Sequence, residues 1–252
     1  MIPYFNGHLF TIFGLPIYMF GVLVAIGVIV GDRVVVAQGK KHGLDPQDVR
    51  FLNARIVIGG FIMAHLVSVI FYFPERIKEN PLVLLNVWSG LSSFGGFLGA
   101  LIAFLYYTKR EKIPRLAYAD SVAPGLAVGW IFGRTGCFTA HDHPGRLTSF
   151  FLSVQYPGGA RHDLGLDELL FTIVMTAILF WYARKPRPAG HVIALLALMY
   201  APVRFGLDFL RATDYGQHPD ARYAGMTPAQ WACLGTAALA VKLMTSRPRP
   251  AP

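Results

Sequence analysis

The sequence predicts an all-α integral membrane protein of seven transmembrane helices, with its N-terminus outside and its C-terminus in the cytoplasm. Three observations carry that prediction. Of 252 residues, 54% are hydrophobic and only 15% charged, a balance unlike that of a soluble domain of this length. Seven mostly apolar runs, roughly 12–31, 51–73, 88–107, 118–138, 166–183, 190–209 and 228–244, each approach the length that crosses a bilayer. Lys and Arg concentrate in alternate loops.

Each run is expected to be helical, because only a helix satisfies its own backbone polar groups in lipid. The opening stretch MIPYFNGHLFTIFG has no basic residues ahead of its apolar segment, so it reads as the start of a first span and not as a cleaved signal. After the first span come Arg33, Lys40, Lys41 and Arg50; after the third, Lys109, Arg110, Lys112 and Arg115; after the fifth, Arg184, Lys185 and Arg187. The tail adds Arg247 and Arg249, whereas the intervening loops are poorer. The positive-inside rule sets the orientation from this bias, and an odd number of spans agrees with it. One membrane domain, 1–245, is expected, with an outward loop at 139–165, an outward segment at 210–227 and a short cytoplasmic tail at 246–252. The net charge of +9 is then a matter of bilayer orientation, and no nucleic-acid partner is called for. The two cysteines, Cys137 and Cys233, suggest neither a disulfide framework nor a metal-binding Cys pair.

Chemistry gathers at the outer ends of the spans. GRTGCFTAHDHPGR carries Arg134 to the end of the fourth apolar run and follows it with His141, Asp142 and His143. A charge at membrane depth is unfavourable by about 3 kcal/mol or more, so it needs a partner or a purpose. Snorkelling to the interface is the plain alternative. YAPVRFGLDFLRATD ends the sixth run, and there Arg204, Asp208 and Arg211 stand at i, i+4 and i+3 spacings on one helix face. An ion-pair ladder accounts for Asp208 with one arginine and leaves the other over. The outward loop also supplies Arg146, Arg161, His162 and Asp163. In VWSGLSSFGGFLGA, Gly95, Gly96 and Gly99 permit close approach of a ligand or another backbone. Together these features describe an outward pocket lined by at least two arginines. Guanidinium groups grip phosphate through paired donors, so the expected ligand is a phospholipid.

The same motifs resemble those of the prolipoprotein diacylglyceryl transferase family along nearly the whole chain. MFGVLVAIGVIVG with KKHGLDPQDV resembles the family's first span and cytoplasmic loop, GGFLGA its glycine-rich third-span motif, and GRTGCF its signature Gly-Arg-x-Gly-Asn-Phe. RFGLDFLRATD is similar to its Arg-Phe-x-x-Glu-Phe-x-Arg segment, and AGMTPAQW to the opening of its last span. The resemblance implies transfer of the diacylglyceryl group of phosphatidylglycerol, or a related phospholipid, to the lipobox cysteine of a preprolipoprotein signal peptide. The site would lie at the outer face of a bacterial inner membrane, in a multi-pass protein, and the products are a thioether and glycerol phosphate. It assigns phosphate binding to Arg134 and Arg204, a turn beside Arg134 to Gly133 and Gly136, loop closure to Gly145, and positioning of an arginine to Asp208, with Arg211 alongside. Substrate contact at Gly95 and Gly96 follows from the same match. This reading needs no cofactor and no metal.

Departures from the family pattern divide the functional readings. The family's third-span His is Phe94 here, the signature Asn is Cys137, a first-span Tyr is Phe20, a second-span Arg is His65, and an outer-loop Glu is Asp142. His141, Asp142 or His143 would take over proton handling, since histidine accepts a proton near neutral pH; the plain alternative is a polar surface turn punctuated by Pro144-Gly145. A divergent paralogue that binds phospholipid without catalysis, or acts on another lipid, is one alternative. A metal-dependent lipid phosphoesterase using His141, Asp142, His143, His162 and Asp163 is another.

Overall fold

The computed structural model of the chain describes residues 1–12, 15–86, 90–215 and 222–246. The tail 247–252, with Arg247 and Arg249, and residues 87–89 of the third-span motif lie outside the described residues. The chain divides into two compact units, Met1–Val34 with Ala123–Pro252, and Val35–Val122, the boundaries falling inside two long helices.

Among the described residues, seven long helices match the seven apolar runs. They are α1 (Met19–Lys41), α2 (Pro46–Val67), α4 (Ser93–Arg110), α5 (Arg115–Ala140), α6 (Leu164–Tyr182), α7 (His191–Leu207) and α8 (Pro228–Thr245), and a short helix α3 (Glu75–Glu79) sits between the second and third. Among the described residues, four helical stretches are long and apolar enough to cross a membrane on length and composition: Met19–Lys41, Pro46–Phe71, Leu164–Tyr182 and His191–Leu210. The first run begins differently from expectation. His8–Ile12 (β2) and Leu15–Tyr18 (β3) pair as an antiparallel hairpin, so the helix starts only at Met19. These residues are rich in β-branched and aromatic side chains, and Pro16 has no N–H to give a helix. At its other end α1 continues through Asp32 and Arg33 to Lys41.

The unit Val35–Val122 is built on α2 and α4. Asp45 caps α2, its side chain accepting from Gln47 N at 2.7 Å and Asp48 N at 3.1 Å. Glycines let the two helices touch. A Cβ at Gly95 would collide with the Met63 carbonyl oxygen, and one at Gly99 with the Gly59 carbonyl oxygen. Gly95 therefore serves helix contact, whereas Gly96 meets nothing nearer than Ala64 Cβ at 3.8 Å. His65, fully buried, places Nε2 2.9 Å from the Val83 carbonyl oxygen. Phe94 is exposed on α4.

In the other unit, Ala123 and Ala127 of α5 pack with Met175 and Leu179 of α6 and Val192 and Leu196 of α7. The segment 139–165, expected as a loop, folds as sheet. Ile2–Pro3 (β1), Val154–Tyr156 (β5), Gly159–Asp163 (β6) and Pro144–Leu147 (β4) lie side by side in the order β1-β5-β6-β4. The β5–β6 hairpin turns at Gly158 and Gly159, whose φ values of 91° and 133° suit glycine. This small sheet ends directly in α6.

Candidate functional site

Glu168 organises the site. It lies in the second turn of α6 and is 2% exposed, with Arg134 of α5 at 7%. The Arg134 guanidinium reaches Glu168 Oε1 at 2.8 Å, and Tyr200 of α7 donates its hydroxyl to the same oxygen at 2.5 Å. Arg134 Nη2 also donates to the Tyr200 oxygen at 3.5 Å. Arg204, one turn further along α7, sets Nε 4.0 Å from Glu168 Oε2 and Nη1 2.7 Å from Asp208 Oδ1. Arg211 Nη1 stands 3.7 Å from that same Asp208 oxygen. Among the described residues, three guanidinium groups thus face two buried carboxylates.

The geometry answers the snorkelling alternative. Arg134 does not reach for water but ends on a buried acid shared with Arg204, which comes from a different helix. Side-chain exposure rises along the cluster from 8% at Arg134 to 13% at Arg204 and 25% at Arg211. The AGMTPAQW motif holds the far end. Thr227 caps α8 in a capping box with Gln230, its hydroxyl donates to Asp208 Oδ2, and Gln230 Nε2 donates to the Phe205 carbonyl at 3.2 Å. The opening of α8 therefore fixes the carboxylate that holds Arg204.

The expected turn at Gly133 and Gly136 is instead helix. Both lie inside α5, which runs on to Ala140 because nothing before His141 breaks it. Gly136 permits close packing, since a Cβ there would come 2.9 Å from Phe20 Cδ2 of α1; a Cβ at Gly133 would meet open space. The turn falls at His141, which adopts φ +50° and returns its N–H to the Phe138 carbonyl at 3.3 Å. Gly145 does close the following loop. A Cβ there would press on His162 Cβ at 2.7 Å and the Leu210 carbonyl at 3.0 Å, and Gly145 bridges to Arg211. One glycine thus ties the four-stranded sheet to the turn that carries Arg211.

The loop histidines separate into different roles. His141 is buried, its Nδ1 2.8 Å from Asp163 Oδ2, and Tyr4, Phe5, Phe138 and Tyr156 surround its ring. Tyr156 donates to the same Asp163 oxygen at 2.8 Å, while Asp163 Oδ1 accepts from Leu166 N as the cap of α6. Burial, and then the Asp163 carboxylate, push the Tyr156 hydroxyl well above its ordinary range. His141 is thereby a packing and sheet-to-helix residue. His162 faces Asp167 at 3.3 Å. The five-residue metal group of the alternative phosphoesterase reading is therefore split among separate partners. His143 instead pairs through Nδ1 with Asp142 Oδ1, and both come back over Cys137, whose Sγ accepts from Arg134 Nη1 at 3.8 Å.

Sequence reasoning missed Glu168 and Tyr200. The signal for Glu168 was present, an acid lying inside the apolar run LGLDELLFTIVMTAILF. Tyr200 gave none, because aromatic residues are ordinary in such runs.

A helical protein with several apolar helices and a buried guanidinium–carboxylate cluster where three of them meet is a multi-pass membrane protein. Comparison with known proteins specifies the class. Residues 8–246 match the family model described as prolipoprotein diacylglyceryl transferase. The chain is 31% identical over 245 residues to a protein named phosphatidylglycerol–prolipoprotein diacylglyceryl transferase from Bordetella bronchiseptica, covering 93% of each chain. A protein of the same name from Chromohalobacter salexigens is 32% identical, over 79% of this chain and 76% of its own. One from a Janthinobacterium species is 35% identical, over 75% and 70%. The chain belongs to the prolipoprotein diacylglyceryl transferase family, a family of transferases.

Proposed function

We propose that the protein transfers the diacylglyceryl group of phosphatidylglycerol to the thiol of a lipobox cysteine in a preprolipoprotein. The observation that carries this reading is the meeting of Arg134 and Arg204, from two helices, at Glu168. In the reaction a sulfur–carbon bond forms at the glycerol carbon and the carbon–oxygen bond to phosphate breaks. Glycerol phosphate leaves with the electron pair, and the thiol proton is released. Charge develops on the departing phosphate oxygen, where positioned cations act most strongly. Arg204 and Arg211, the more exposed cations, receive the headgroup, and Arg134, oriented by Glu168 and Tyr200, stabilises the leaving oxygen. Asp142 and His143, beside Cys137, receive the thiol.

The proposal includes seven spans, an outward N-terminus and an outward sheet at 139–165 in the bacterial inner membrane. Lys and Arg at the ends of α1 and α4 and in the segment after α6, and the exposed apolar side chains on α2, α4 and α6, support it. Purified protein in phosphatidylglycerol vesicles with a lipobox peptide releases glycerol phosphate and forms the thioether peptide. Arg134→Ala is expected to lower turnover about 100-fold or more, the usual loss when a donor to a developing oxyanion is removed. Unchanged turnover in that variant rejects the assignment.

A further inference from the structure

We infer that Cys137, Asp142 and His143 form a zinc site with an open fourth position, which takes the incoming cysteine thiol as a thiolate. One ligand atom from each of the three residues lies within 4.8 Å of those from the other two. Tetrahedral zinc with bond lengths of about 2.0–2.3 Å sets its ligands roughly 3.2–3.8 Å apart, so closing the site needs movements of about an ångström. The fold brings the residues together through one local device. Cys137 sits in the last turn of α5, and the left-handed His141 reverses the chain so that Asp142 and His143 return over it. Burial of His141 against Asp163 and four aromatic rings anchors that reversal. Asp142 and His143 remain accessible, their side chains 43% and 18% exposed.

The donor set selects the ion. Sulfur, imidazole and carboxylate together suit zinc, whereas magnesium and calcium favour oxygen alone. Three protein ligands with one position left for water or substrate is the arrangement of reactive zinc sites, as opposed to closed structural ones. Charge also fits. A thiolate, a carboxylate and a neutral imidazole balance the two positive charges, so the site adds no net charge beside Arg134. When a second thiol enters as thiolate and its proton passes to water, the extra negative charge lies close to that guanidinium, which already contacts Cys137 Sγ at 3.8 Å. A metal-bound thiol is deprotonated outright yet remains a nucleophile, which supplies the thiolate that alkylation requires. The metal site rests on this geometry alone; its role toward the thiol rests on the transferase reading.

Cobalt reports the site directly. Protein stripped with a chelator and titrated with cobalt chloride is expected to bind a single ion per chain, with a sulfur-to-cobalt charge-transfer band and the visible bands of four-coordinate cobalt. Cys137→Ser removes the charge-transfer band, Cys233→Ser retains it, and Asp142→Asn or His143→Ala weakens binding about 100-fold. Unchanged melting by circular dichroism in these variants separates ligand loss from misfolding. Absence of the band in the native chain, or its persistence in Cys137→Ser, overturns the site. A lipobox peptide should intensify the charge-transfer band, and its Cys→Ser version should not; equal responses overturn the thiol role. Metal-free protein that still releases glycerol phosphate at full rate overturns the metal's part in transfer and leaves the transferase reading standing. A cobalt band in protein that releases no glycerol phosphate supports the site and overturns the transferase reading.

Discussion

At the scale of single residues, Glu168 shows how a buried acid sets the behaviour of arginines around it. Taking one partner from a buried ion pair leaves the other charge uncompensated, at a loss of about 3–5 kcal/mol. Glu168→Gln keeps the shape and a hydrogen-bond acceptor for Tyr200 but removes the charge that holds Arg134 and Arg204. That variant is expected to melt at a lower temperature in detergent and to lose more than tenfold in transfer. Equal melting and equal turnover would show that the acid is not the organising group. Arg134→Lys tests geometry separately from charge. A lysine ammonium cannot present the planar fork that meets both Glu168 and Tyr200, so retained charge should restore only a small part of the activity lost in Arg134→Ala.

At the scale of elements, two junctions stand out, one in each compact unit. The first is the α2–α4 contact, where Gly95→Leu would drive a side chain into the Met63 carbonyl and Val67. Overpacking of this kind typically destabilises by about 1–3 kcal/mol, which a thermal melt in detergent would register. The second is the strap between the four-stranded sheet and the chain after α7, where Arg161 binds Asp214 at 2.7 and 2.9 Å and stacks over Tyr215. Hydrogen bonding from Arg161 holds the Asp214 carboxyl below the usual carboxylate range. The released chain therefore binds a proton more readily than the strapped one. The strap's stability is present above about pH 4 and is lost as pH falls through the lowered value. Protease cleavage after residue 211 should accelerate on acidification in the native chain and be fast and flat with pH in Asp214→Asn. A native cleavage rate that does not change with pH would exclude the strap as an acid-sensitive element.

These elements also show what could be read in advance. The apolar runs placed α2 and α4 to α8 within a few residues at most ends, because helix length and hydropathy are local quantities. The hairpin before α1 was not legible, since short apolar segments read alike as strand or helix. The sheet at 139–165 was hidden for another reason: its pairings, such as Ile2 with Val154, join residues far apart in the chain. Arg134, Arg204 and Asp208 were legible as charges at the ends of apolar runs. Glu168, the group that unites them, went unread although its charge stands in just such a run. The separation of His141 from His143 was invisible, because it depends on a single residue taking positive φ.

At the scale of the whole molecule, exposed apolar side chains such as Ile58, Ile62, Leu101, Ile102, Ile173 and Trp181 require lipid around the helices. The proposed orientation has a direct check. A cysteine introduced at Phe151, exposed beyond the β4 strand, should react in intact cells with an impermeant maleimide, and one at Lys112 only after permeabilisation. Labelling in the opposite sense would invert the topology and remove the site from the outer face. By itself the sequence determined the class of protein, the helices and the residues that could bear charge in lipid, because each depends on length, hydropathy and spacing along the chain. Only the tertiary structure decided which charges meet, that one buried glutamate gathers two arginines, and that a cysteine, an aspartate and a histidine converge beside them. Those outcomes depend on directions in space, and burial makes each meeting of charges selective.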